Sequence, residues 1–250
     1  MTLNNEIKEY WEGEAGVYSQ GIQEELNGSQ RQAWKSIILE NAPQKEVLDI
    51  LDAGCGPGFF PVILSEEGHR VTGIDITENM IACAKENLEM QGQQAKLMTM
   101  DCQRLDFDDN SFDLVICRNI TWTLDDPRKA YQEWKRVLRP SGRMLVFDAC
   151  WYLHLYDEEL NKKVKENEKA VWEKYGKPAR SHVNPEKGDE LGSQTFMSDK
   201  VRPLWDLEYL ISLGFTKVFA EPDIMEKVLW DERAKELHKF TPGFMVGAEK

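Results

Sequence analysis

The stretch Leu51-Asp52-Ala53-Gly54-Cys55-Gly56-Pro57-Gly58 follows a run that begins at Val47 and precedes a second apolar run, Phe59 to Ser65. The first run is short and β-type and the second has helical spacing, so the glycines occupy a strand-to-helix turn. Glycine is needed where a backbone turns sharply or where a ligand must come close to the main chain. The helix that follows aims its free N–H groups and the positive end of its dipole into the same crevice. In a doubly wound sheet such a crevice opens at the carboxyl ends of the strands. The spacing is Gly54-x-Gly56-x-Gly58, and Phe59 stands where a Gly-x-Gly-x-x-Gly pattern has its third glycine. That departure speaks against a nicotinamide or flavin enzyme.

Alternation of strand and helix continues downstream. Val71 to Ile76 is a second strand, and Thr77 is placed to cap a helix that runs to Met90 and stops at Gly92. Ala95 to Met100 and Phe112 to Cys117 are further strands. Asp126-Pro127 joins an acidic cap to a proline at the first helical position. The helix it opens carries Ala130, Trp134, Val137 and Leu138 on one face and ends at Pro140-Ser141-Gly142. Met144 to Ala149, Phe215 to Glu221 and Phe244 to Ala248 complete seven strands. This rhythm implies an α/β fold: a Rossmann-like, doubly wound, mostly parallel seven-stranded sheet. Residues 1–45 read as helical, with Ile7, Tyr10, Trp11 and Val17 in one segment and Trp34, Ile37 and Ile38 in another. Between Trp151 and Met197 the rhythm lapses into one helix, Glu158 to Tyr175, and a Pro- and Gly-containing loop. Leu204 to Leu213 resumes as a helix, and Ile224 to Phe240 reads as a polar one. The expected organisation is a helical segment 1–45, a core 46–150, an α-helical cap insertion 151–203, and completion of the sheet by 204–250.

Apolar residues form 41% of the 250 residues, enough for a sizeable core. The net charge is −13 and no basic stripe is present, which argues against a nucleic-acid partner. No apolar run approaches the roughly 20 residues of a membrane span, and Met1 to Tyr10 is too polar for a signal peptide. Five cysteines without a C-x-x-C pair point to reduced thiols. The expectation is a cytoplasmic monomer or homodimer without integral membrane contact. The four histidines show no H-x-x-H or H-E-x-x-H spacing, so no metal site is expected.

Two acidic residues add chemistry to the glycine turn. Asp75 ends the second strand, where a carboxylate accepts ribose hydroxyls; its alternative role is to cap the next helix. Asp101-Cys102 ends the third strand, where a carboxylate can accept from an exocyclic amine and the next N–H can serve a ring nitrogen. An ordinary turn aspartate is the alternative there.

Leu51 to Gly58, then Gly73-Ile74-Asp75, Met100-Asp101-Cys102, Asp109-Asn110-Ser111-Phe112-Asp113 and Val137 to Arg143 together resemble the class I S-adenosylmethionine-dependent methyltransferases. The subgroup resembled includes the ubiquinone and menaquinone biosynthesis enzymes. The match covers roughly Val47 to Ala149, with Tyr10 to Tyr18 more weakly. The resemblance implies S-adenosyl-L-methionine as cofactor. It places Ala53, Gly54, Cys55, Gly56 and Gly58 along the methionine part, and Asp75 on the ribose. It sets Ile76 and Met80 near the adenine, with Asp101, Cys102 and Gln103 at the adenine edge. Arg118 and Asn119 border the sulfonium, and Tyr10, Trp11 and Tyr18 belong to a covering helix. Arg118-Asn119-Ile120-Thr121-Trp122 departs from the pattern of many relatives, which carry a small or apolar residue and a histidine there.

The acceptor is expected above the carboxyl ends of the fourth and fifth strands. Candidate catalytic residues are His154, Asn119 and Tyr152, with the Trp151 to Tyr156 run as an aromatic wall. Core packing under a cap helix is the alternative for that run. His182 sits in the insertion, and His238 is expected on a solvent-facing helix surface. The function expected is methyl transfer to a small-molecule acceptor. The alternatives are a non-catalytic cofactor-binding regulatory module and, behind it, a nucleotide-cofactor oxidoreductase.

Overall fold

The computed structural model describes residues 2–176, 182–229 and 231–250, so the part of the expected cap at 177–181 lies outside the described residues. Seven strands form one sheet in the order β3-β2-β1-β4-β5-β7-β6. They are β1 (Asp49–Ala53), β2 (Arg70–Asp75), β3 (Lys96–Thr99), β4 (Phe112–Arg118), β5 (Leu138–Ala149), β6 (Lys217–Glu221) and β7 (Gly243–Glu249). β1 to β5 pair in parallel, and β7 enters antiparallel between β5 and β6. The order reverses at β1, which pairs with β2 on one side and β4 on the other. The crevice beyond the carboxyl ends of β1 and β4 is therefore the switch point.

Side chains alternate faces along a strand, and here they divide the core into two layers. Ile50, Leu114, Ile116, Leu145 and Phe147 point to one face with Trp34, Phe60 and Ile63. Their neighbours Leu51, Val115, Cys117, Met144 and Val146 point to the other, with Tyr131, Trp134 and Leu210. Both faces are covered, so β4 and the end of β5 are buried almost without interruption.

The first face is covered by α1 (Leu3–Asn27), α2 (Gln30–Asn41) and α3 (Phe59–Ser65), and α4 (Glu78–Met90) lies against α1. α5 (Pro127–Val137) and α8 (Leu204–Ser212) cover the other. Between them in sequence come α6 (Glu158–Tyr175) and α7 (Pro185–Gly192), while α9 (Met225–Val228) and α10 (Glu232–Leu237) precede β7. α5 is built as its sequence indicates. Asp126 accepts from the Arg128 N–H, Pro127 opens the helix, and Ala130, Tyr131, Trp134 and Val137 are buried.

Several elements differ from the sequence reading. α1 runs unbroken to Asn27, because Ala15, Ser19, Ile22 and Leu26 form a buried stripe that outweighs three internal glycines. β5 starts at Leu138, paired with Phe112, and Ser141 at φ +61 lies within it rather than ahead of it. The polar stretch after Ile224 holds two short helices instead of one, because Asp231 caps a second start by accepting from the Arg233 N–H. α7 rises where a loop was expected, capped by Asn184 on the Lys187 N–H. Thr77 does not cap α4 with its side chain. Its hydroxyl donates to Asp75, and Glu12 of α1 instead accepts the Glu78 and Asn79 N–H groups, each at 2.9 Å.

Arg202, just ahead of α8, reaches the end of β5. Its guanidinium is wholly buried and donates to Asp148 at 3.0 Å, to both carboxylate oxygens of Asp206 at 2.9 and 2.7 Å, and to Thr121 at 2.7 Å. Asp148 and Asp206 are equally buried. Removing one partner of such a group leaves uncompensated charge in the interior. Arg202→Met is therefore expected to lower unfolding stability by about 3–5 kcal/mol in urea titration; a change under about 1 kcal/mol would mean that water replaces the guanidinium.

Candidate functional site

The turns after β1, β2, β3 and β4 converge on one cleft at the switch point, and α1 roofs it. Gly54 is held at φ +80, and a Cβ there would lie 2.6 Å from the Ile120 side chain, so only glycine fits beneath Ile120. The Gly56 N–H donates to Asp75 at 3.0 Å. The other Asp75 oxygen accepts from the N–H and hydroxyl of Thr77 at 3.0 and 2.7 Å. Asp75 thus braces the turn before α4 and faces the cleft. Burial holds its pKa above the usual carboxylate range, and the bonds from Thr77 and Gly56 oppose that shift. At the next strand end, Asp101 accepts from the Gln103 N–H, and the Cys102 carbonyl accepts from the Trp134 indole.

Trp11, Tyr18, Gly54, Gly56, Asp75, Ile76, Met80, Asp101, Cys102, Gln103, Arg118 and Asn119 all line this cleft. Other residues from the sequence reading lie elsewhere. Ala53 is fully buried in the core. Gly58 packs against Ala84 beneath the turn, and Cys55 borders a recess beside the cleft. Tyr10 opens to a neighbouring cavity instead. Ile7, Lys8, Met100 and Thr123 line the cleft without any local signal that singled them out.

The recess continues the cleft past Tyr18, Gly54, Gly56 and Arg118. At its end lies Asp52, which is 2% exposed and has one carboxylate oxygen with no hydrogen-bond partner. Burial pushes its pKa up to about 8, and the nearby charge of Arg118 limits the rise. Arg118 donates to Glu25 at 2.6 Å, and its guanidinium faces the rings of Trp34, Phe59 and Phe60 at 4.6–5.5 Å. An orphaned carboxylate beside a guanidinium suits a zwitterion, with an ammonium toward one and a carboxylate toward the other. Asp52 was not among the expected cofactor contacts. Its signal in the sequence is an acid inside the otherwise apolar run Ile50-Leu51-Asp52-Ala53.

Beyond the cleft lies a second cavity of about 490 Å³. Trp11, Tyr18 and Asn119 line both spaces, so they form the passage between them. His154, Tyr152 and Asn119 all face this cavity, and the buried Nδ1 of His154 has no partner. Asn119 is held at φ +56 with its N–H donating to the Phe147 carbonyl at 2.8 Å. Trp122 packs on Tyr152 with ring centres 5.4 Å apart. His182 lies between Tyr10 and Glu14, at 3.4 Å from each. His238 does not face solvent as the sequence reading expected. It lines the cavity against Trp151, and burial lowers its pKa.

α7 closes the cavity by close approach to two tyrosines. A Cβ on Gly188 would fall 2.5 Å from the Tyr10 hydroxyl, and one on Gly192 would fall 2.2 Å from the Tyr152 ring. Both phenol pKa values are raised, chiefly by burial and further by nearby carboxylates, Asp189 among them. Glu14 ties the same region to α1 by accepting from the Val183 and Asn184 N–H groups at 2.7 and 2.8 Å.

Comparison with known proteins agrees with this geometry. Residues 51–146 match the family model described as a methyltransferase domain. A demethylmenaquinone methyltransferase of Staphylococcus aureus is 31% identical over 127 residues, which is 50% of this chain and 52% of the relative. A ubiquinone biosynthesis O-methyltransferase of Coxiella burnetii is 30% identical over 95 residues, 38% of this chain and 41% of the relative. The chain thus spans about half, or less, of the length of these curated relatives. The solved structure of a Haemonchus contortus phosphoethanolamine N-methyltransferase, with phosphomonomethylethanolamine and S-adenosylhomocysteine bound, superposes with TM-score 0.65 at 16% identity. That match covers 100% of this chain and 60% of the other. Residues 51–146 thus match the methyltransferase domain family, and the chain has the Rossmann-like α/β fold found in solved methyltransferase structures.

Proposed function

We propose that this chain is an S-adenosylmethionine-dependent methyltransferase whose small-molecule acceptor occupies the 490 Å³ cavity. The observation that carries the reading is the continuity of the three spaces. A recess with an orphaned carboxylate and a guanidinium leads into the glycine-lined cleft, and the cleft leads past Trp11, Tyr18 and Asn119 into the aromatic cavity. The residues suit each part of the cofactor: Asp52 and Arg118 its amino-acid end, Asp75 the ribose, and Asp101, Cys102 and Gln103 the adenine. When bound, S-adenosylmethionine supplies a methyl group already activated on a sulfonium.

The chain's own work is then alignment, exclusion of water and handling of a proton. α1 roofs the cleft, held down by Glu12 on α4 and Glu14 on the 183–184 backbone. Asn119 and Tyr152 orient the acceptor, and His154, with a free ring nitrogen, is the proton acceptor. Five unpaired cysteines fit a reducing, cytoplasmic setting. Among the described residues no helix is long and apolar enough to cross a membrane.

Calorimetric titration with S-adenosylmethionine tests the reading. Saturable binding is expected, and Asp75→Ala should weaken it by roughly 10–100-fold, the range for hydrogen bonds to a charged group. Unchanged affinity in both Asp75→Ala and Gly56→Val would refute the assignment.

A second prediction concerns pH. Below about pH 8 the free protein holds Asp52 mostly protonated, whereas an ammonium in the recess favours its ionised form. Binding therefore releases a proton, and affinity should rise with pH by up to about tenfold per unit between roughly pH 6 and 7.5. Asp52→Asn should flatten that slope. A slope that persists in the variant would place the titrating group elsewhere.

A further inference from the structure

The second cavity has its own chemistry, and the charges around it differ from those around the cleft. Its walls include Trp11, Tyr18, Trp122, Trp151 and Tyr152. These rings do not stack flat on one another. Trp11 meets Trp122 at 69° with centres 6.3 Å apart, and Trp122 meets Tyr152 at 49°. Rings set at such angles present electron-rich faces from several directions. Glu168 of α6, half-buried, and Asp189 of α7, at the rim, add carboxylates. Among the described residues lining the cavity there is no lysine or arginine. Neither carboxylate forms an ion pair among the described residues.

Aromatic faces together with unneutralised carboxylates attract a cation and repel an anion. A phenol or a carboxylic acid must become an anion before it can take a methyl group, and that anion would form opposite Glu168 and Asp189. The two wall phenols, Tyr10 and Tyr152, show what this environment does to such a group, since burial and the negative charge of Asp189 both hold them neutral. An amine meets no such penalty, because it enters as an ammonium and leaves as one.

We propose that the acceptor is an aliphatic amine, recognised as a cation by the aromatic walls of this cavity and by Glu168 and Asp189. This rests on the methyltransferase reading above and narrows its substrate class. The ammonium passes one proton to the imidazole of His154, which lines the cavity. The freed lone pair on nitrogen forms the new N–CH₃ bond, the electron pair of the broken S–CH₃ bond stays on sulfur, and the positive charge passes from sulfur to nitrogen. Product and substrate therefore carry the same charge in the same cage.

The test compares choline with 3,3-dimethylbutan-1-ol, which has the same shape without the charge. Both are titrated calorimetrically into the full-length protein saturated with S-adenosylhomocysteine. Choline is expected to bind at least roughly tenfold more tightly, as a desolvated cation over several rings should. Glu168→Gln and Trp122→Leu should each reduce that preference severalfold while leaving S-adenosylhomocysteine affinity unchanged. Methyl transfer from labelled S-adenosylmethionine is then followed to 2-dimethylaminoethanol and to catechol.

Equal binding of choline and the alcohol, or no binding of either, overturns the amine assignment. Transfer to catechol but not to 2-dimethylaminoethanol does the same; in each case the methyltransferase reading stands. Failure of S-adenosylhomocysteine to bind removes that reading and the amine proposal with it.

Discussion

Asp148, at the end of β5, is surrounded by groups that have left water to reach it. The guanidinium of Arg202 donates to one oxygen, which also accepts from the Thr121 hydroxyl and from the Trp122 N–H. The other oxygen accepts from the Trp151 indole and the Ala149 N–H. Asp206 takes two further donors of Arg202 and accepts from the Tyr131 hydroxyl. Burying these charges is costly in itself, and a well-packed apolar cluster could hold the fold as firmly. What the arrangement supplies is position. A single carboxylate sets the backbone of Trp122 and the ring of Trp151, two walls of the aromatic cavity. The sheet, the segment after β5 and α8 are thereby locked to one another beside the aromatic cavity.

The cofactor side is assembled by a different device. α1 is long, contains glycines at 13, 16 and 21, and would be a weak helix alone. It is held by its buried stripe and by three acidic side chains aimed at distant partners. Glu12 satisfies the free N–H groups that begin α4, Glu14 those at 183–184, and Glu25 pairs with Arg118. The roof of the cleft is therefore tied to β4, to α4 and to the approach to α7. Displacing α1 breaks all three sets of contacts, which makes access to the cleft a cooperative event rather than the movement of one loop.

Between these two rigid regions the site keeps its polar imperfections. Asp52 is buried with an unpaired oxygen, and His154 has a ring nitrogen without a partner. Fully satisfied interiors are the rule, and orphaned polar atoms are exceptions that call for a cause. Of five such side-chain atoms among the described residues, these two belong to residues along the path from recess to cavity, where a bound molecule would supply partners.

The chain's local signals were enough to read the core of the fold. The strand–glycine–helix turn at 51–58, the alternation of strands and helices, and the capped helix after Asp126-Pro127 all depend on neighbours within a few residues. They imply the crevice and the convergence of Gly54, Asp75 and Asp101 upon it. Contacts made across the sheet left no such local trace. The acid that caps α4 lies 66 residues before it, at Glu12. His238 reaches the cavity because α10 is a separate helix packed on α6, which the polar pattern of 224–240 conceals. The unpaired state of Asp52, the Arg202 network and the aromatic lining likewise arise only when segments distant in sequence are brought together. Short-range chemistry wrote the elements into the sequence; long-range packing decided which side chains share a cavity and which charges lack a partner, and those decide the site.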